Sequence, residues 1–280
     1  MLPESTRRLL LTTARRGDAA GLLALREWQN VGGSGDWLEQ WQKLLPRVSV
    51  LVAAAQVTAA RDAAASIADA LEETGYPERQ LGTVIPRKFA GWSEKLPVPT
   101  LLSTAVVKAR MAPGDEDAML AIGGGWLQRM ASTLVTDAGR AAGGIQIAAT
   151  ENAGWVRYEP SPYCMRCAPL VGKFYRHNQG FQRHPQCPAV HRPASDREPR
   201  DGWSAAPDPS EIKDLTEAQR KALDEGADLN KVLNAHRHKP MDVAGVGNAQ
   251  RRGTPAWIYK QAGDDRMAAT RLLRQFGYIR

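Results

Sequence analysis

The chain is poor in cysteine and histidine, with three of the first and five of the second among 280 residues. Three cysteines are too few for a disulfide framework, and an odd number leaves one unpaired, which favours a reducing compartment. All five histidines lie between His177 and His238, so imidazole chemistry is confined to the second half. Long apolar runs are missing as well. The longest, near Val50 to Ala55, falls short of the roughly 20 residues that cross a bilayer. Met1 to Gly17 carries four arginines and no continuous apolar stretch, so no secretory leader and no membrane association are expected. There is no G-x-S-x-G elbow for a serine nucleophile. Gly123-Gly124-Gly125 lacks the G-x4-G-K-[ST] pattern and a preceding strand, which excludes a phosphate loop. No histidine precedes His177, so the H-x-E half of a zinc deaminase is absent. Neither internal repeats nor heptads are visible.

What is there fits a soluble globular protein, with 43% hydrophobic and 24% charged residues. The length allows one large domain or two modest ones. Net charge is +7 and the sequence pI about 9.5. The excess gathers at Arg157, Arg166, Lys173, Arg176, Arg183 and Arg192, and again towards the C-terminus. Such a surface permits contact with phosphate without demanding it.

The first part reads as helical and alanine-rich. Asp18 can cap a helix over 19–29 with Leu22, Leu23, Leu25 and Trp28 on its apolar side. A short helix follows Asp36, and Pro46 opens a long one to Glu73, with Val50, Val57, Ala60, Ala64, Ile67 and Leu71 on its face. Residues 78–99 read as irregular. Thr100 starts a helix to Met111, Asp115 starts the next, and Gly123 to Gly125 either interrupt it or mark close backbone approach. A further helix is expected from Trp126 to Ala142. Gly154 to Glu159 is the best strand, and Lys173 to Arg176 can return as the second arm of a hairpin. Residues 192–210 read as a linker. Thr216 with Gln219 makes a capping box ended by Gly226, and Asp228 caps the next helix. Thr254-Pro255 opens a helix stopped by Gly263, and Asp264 opens the last, with Leu272, Leu273 and Phe276 inward.

All three cysteines fall in one stretch: Cys164-x2-Cys167, then His184-x2-Cys187-x3-His191. Two thiolates from a tight turn and a His/Cys pair from a second segment suit one tetrahedral zinc. The expected ligands are Cys164, Cys167, Cys187 and His184, with His191 as the alternative fourth. Three sulfurs among four protein ligands favour a closed structural site, since catalytic zinc keeps a position for water. His236 and His238 read as basic side chains at a helix C-terminus.

Gly154-Trp155-Val156-Arg157-Tyr158, Cys164-x2-Cys167, Gly172 with Tyr175, and His184-x2-Cys187 together resemble the Mu F-like minor head proteins of tailed bacteriophages. The likeness is to the branch common in phages of actinobacteria, where a G-W-x-R strand leads into C-x2-C, G-x2-Y and H-x2-C-x-C. Asp137 to Arg140 fits that family's preceding helix. Gly226-Ala227-Asp228, Val232-Leu233-Asn234-Ala235 and the ending from Thr254 to Ile279 extend the resemblance over residues 130–280. The chain departs from the pattern at Ala189, where the family often has its last cysteine, which leaves the fourth ligand open between His184 and His191.

The residue pattern and the resemblance together lead to the expectation of a mainly α protein of α+β type: a helical N-terminal part, a small β-hairpin resembling a zinc knuckle, and short C-terminal helices. Three regions are expected: 1–97 as a helical part and hypothesised portal-docking region, 98–192 as the core with the Cys/His cluster, and 193–280 as linker and terminal helices. The implied role is a non-enzymatic minor capsid protein inside the virion head, after assembly in the host cytoplasm. Its partners would be the portal protein, the major capsid protein and packaged double-stranded DNA bound without sequence preference. The alternative is a metal-dependent nuclease, through His177, Asn178 and His184, or a maturation protease fused to a head-protein domain.

Overall fold

Asp36 begins the longest element. Its carboxylate accepts from the amides of Leu38 and Glu39, capping a helix that runs from Trp37 to Glu73 (α2). Pro46, expected to open a helix, lies inside this one. It removes one hydrogen bond, but the stripe of Trp41, Val48, Val52, Ala59, Ala63 and Ala70 continues unbroken across it and is buried throughout. By length and composition alone α2 is apolar enough to cross a membrane. Here that stripe forms core.

The computed structural model describes residues 2–93, 96–177, 184, 187–200, 207–235, 261–263, 268, 271–272 and 275. These are mainly helical with one small antiparallel sheet, as the sequence implies. The chain forms two units, one of residues 1–158 with 173–203, the other of 159–172 with 204–280. Their limits differ from divisions at 97 and 192, because the helices on either side of residue 97 share one core.

In the first unit α1 (Glu4–Trp28), α2, α3 (Val98–Arg110) and α4 (Glu116–Ala148) pack together. α1 starts fifteen residues before the expected 19 and runs through Asp18. Pro3 offers no side-chain cap, and Glu73 supplies one instead, accepting from the Ser5 amide at 3.1 and 3.2 Å. The inward side of α1 also differs from the expected one. Leu22 and Leu23 are 57% and 42% exposed, while Ala20, Gly21, Ala24 and Trp28 are buried. Close approach to α4 explains the choice: a Cβ on Gly21 would lie 2.7 Å from the Gln128 carbonyl oxygen. The same holds at Gly123 and Gly124, which do not interrupt α4 but receive the ring of Trp28. Asp115 caps α4 as expected. On α2 Val50 is 68% exposed, whereas Ile67 and Leu71 are buried.

The sheet has the order β2-β1-β3, with β1 Ala153–Tyr158, β2 Phe174–Arg176 and β3 Val190–Ser195. β1 and β2 pair Trp155 with Tyr175, the expected hairpin. β3 occupies residues that read as linker and pairs Arg157 with His191 and Trp155 with Pro193. Its sequence hides it because its polar residues are satisfied inside. Arg192 donates to Glu198 at 2.8 and 2.5 Å, both being buried. Pro193 is tolerated on an edge strand.

The second unit is built on Ala168, Ile212, Leu215, Ala222, Leu223, Ala227, Val232 and Leu233. α5 (Glu217–Asp224) has the capping box of Thr216 and Gln219, and α6 (Leu229–Asn234) the Asp228 cap. Tyr163 bridges to the stretch before α5, with its amide donating to Glu211 and its carbonyl accepting from Lys213, each at 2.8 Å. Gly263 has a positive φ of 56°, and Leu272 packs against this core. Thr254, Pro255, Asp264, Leu273, Phe276, His236 and His238 lie outside the described residues.

Candidate metal centre

The C-x2-C segment folds as a tight turn. The Cys164 carbonyl accepts from the amides of Cys167 at 2.9 Å and Ala168 at 2.8 Å, and a 3-10 turn over Ala168–Leu170 follows. The amide of Arg166 points at the Cys164 sulfur at 3.4 Å. The Glu159 carboxylate accepts from the Cys164 amide at 3.1 Å. At the other end of the cluster the Cys187 amide donates to the His184 carbonyl at 3.2 Å. Cys167 and Cys187 are buried, and Cys164 and His184 half-buried.

The ligand atoms of Cys164, Cys167 and His184 lie within 4.8 Å of one another, as do those of Glu159, Cys167 and Cys187. Tetrahedral zinc with bonds of about 2.3 Å to sulfur separates its ligands by about 3.8 Å, so both groups are near coordination spacing. These Cys/His groups could hold a metal ion. All four expected ligands belong to one group or the other, and Cys167 belongs to both. Glu159 was not foreseen. Its signal in the sequence is slight, a carboxylate five residues before the first cysteine. Only its burial, at 1% exposure beside two thiols, marks it.

His191, the alternative fourth ligand, is in neither group. On β3 its ring stands edge-on to Trp155, with centroids 4.6 Å apart, and lies close over Gly143 and Gly144 of α4. Burial, then the nearby guanidiniums of Arg140 and Arg157, push its pKa down to about 3. It is a neutral core side chain. His177 is exposed after β2, and Asn178 lies outside the described residues.

The residues around the cluster have definite tasks. A Cβ on Gly154 would lie 2.3 Å from the Phe174 ring, so only glycine lets β2 approach there. Trp155 stacks on Tyr175 with centroids 4.3 Å apart. Arg157 donates from Nη2 to the Cys187 sulfur at 3.1 Å. From α4, Arg140 donates through Nη2 to the Cys187 carbonyl and through Nε to the Ala189 carbonyl at 2.9 Å. Asp137 pairs with Arg140 at 2.9 Å. Ala189 is fully buried, leaving its position in the motif with a backbone role.

Comparison with protein-family models, with curated proteins and with solved structures finds no match.

Proposed function

We propose that this chain is a minor head protein of a tailed bacteriophage, a structural component held at the portal inside the capsid. The observation that carries the reading is the sulfur-rich donor group of Cys164, Cys167 and His184, set in a segment whose Gly154, Trp155, Tyr175 and Cys187 make the contacts described above. In this reading the metal is zinc and its role is structural. Drawn onto one ion, the three cysteines and His184 would make a tetrahedral shell with no position left for substrate water. The zinc would tie the C-x2-C turn to the segment that carries His184 and Cys187. The net charge of +7 suits a protein lodged against packaged DNA, where cationic side chains meet phosphate without reading sequence.

Portal docking is assigned to the exposed side of α1 and α2, where Leu22, Leu23 and Val50 face outward. Deletion of these helices would remove the core, so the test uses the intact chain. Coexpression with the portal protein of the same phage should yield a complex, weakened by Leu22→Glu with Val50→Glu while the helical circular dichroism is unchanged. Purified heads should contain the chain in few copies. Its absence from heads, or metal-dependent nicking of plasmid DNA lost in His184→Ala, would replace this reading with another.

A further inference from the structure

Two arginines converge on Cys187, and they do different things. Arg140 holds the backbone at Cys187 and Ala189, and its charge is met by Asp137 at 2.9 Å. Arg157 addresses the sulfur itself, its Nη2 3.1 Å from Sγ, with the residue 1% exposed. A hydrogen bond from a guanidinium to sulfur is strengthened when the sulfur is a thiolate, because it is then charge-assisted. Closing a site with Cys164, Cys167, Cys187 and a neutral His184 around a divalent ion leaves one net negative charge, two positive against three thiolates. The Glu159 carboxylate, grouped with Cys167 and Cys187, adds to that negative charge.

We propose that Arg157 is a positioning residue of the metal site: it balances the negative charge of the thiolate-rich centre and sets the Cys187 sulfur for coordination. This rests on the metal reading above and adds to it a residue that is not a ligand. On β1 Arg157 follows Trp155 by two positions, one residue before the strand ends at Tyr158.

The test uses the full chain with zinc and, separately, cobalt(II). Zinc affinity is measured by competition with a chelating indicator, and the sulfur-to-cobalt charge-transfer absorption reports the thiolates directly. Arg157→Met should bind zinc about 10–100-fold more weakly and shift the cobalt absorption. Arg157→Lys, which keeps the cation, should restore most of the affinity. If Arg157→Met does not fold, Arg157→Gln replaces it in the comparison with Arg157→Lys. Equal affinity and equal cobalt spectra for the wild type and the uncharged variant would overturn the proposal while leaving the metal site standing. A wild-type chain that binds neither metal would overturn both.

Discussion

The indole N–H of Trp28 donates to the Leu120 carbonyl at 2.9 Å, and its ring lies where Gly123 and Gly124 have no side chains. A Cβ on Gly123 would be 2.8 Å from Trp28 Cζ2 and 2.7 Å from the Ala109 Cβ, in a core that cannot open on either side. Gly123→Ala therefore gains helix propensity of about 1 kcal/mol but loses about 1–3 kcal/mol to overpacking, and the net expectation is destabilisation. Gly125→Ala is the control. Its Cβ would meet only the tip of Arg129 at 3.4 Å, so it should be neutral or stabilising. Urea unfolding of the two variants measures the difference in sign.

Arg192 and Glu198 form a buried pair, each under a tenth exposed. Glu198→Ala would strand the guanidinium under β3 at a cost of about 3–5 kcal/mol. Replacing both, with Arg192→Met and Glu198→Leu, should cost much less, because no charge is left without its partner. A double-mutant cycle from denaturant midpoints gives the coupling. A Glu198→Ala chain as stable as the wild type would show that β3 is held by other means.

Neutral His191 makes stability depend on pH. Its folded pKa of about 3 lies below the ordinary value of 6.5, so between these limits the unfolded chain binds the extra proton. The contribution of the group is complete above pH 6.5 and is lost as pH falls towards 3, with a slope of up to about 1.4 kcal/mol per pH unit. Unfolding curves taken in chelator, to remove any effect of metal, should show a shallower slope for His191→Phe. Parallel slopes would mean that the ring is not held neutral.

Metal analysis separates the two histidines. The wild type should carry one zinc per chain, lost in Cys164→Ser, Cys187→Ser and His184→Ala but kept in His191→Gln. Chelator should lower the melting temperature of the wild type and leave that of the cysteine variants unchanged. Retention in His184→Ala together with loss in His191→Gln would reverse the assignment.

Much of this protein is legible locally. The caps at Asp36, Asp115, Thr216 and Asp228 are short-range hydrogen bonds between neighbours in the chain. For the same reason the C-x2-C turn follows from its spacing. What misleads is a residue whose partner is distant. Leu22 and Leu23 look like core, yet α1 turns its small residues inward because α4 comes too close for leucine. The segment from Val190 to Ser195 looks like linker, yet it pairs with β1 and His191 finds Trp155.

By itself, then, the sequence determined the helical class, the caps and the C-x2-C turn, since each depends on interactions spanning a few residues. Only the tertiary structure decided that α2 passes through Pro46, that His191 is core and that Glu159 stands among the thiols. It also decided that Arg157 meets Cys187 thirty residues away. Those outcomes turn on burial, and burial is set by whatever distant segment covers a residue.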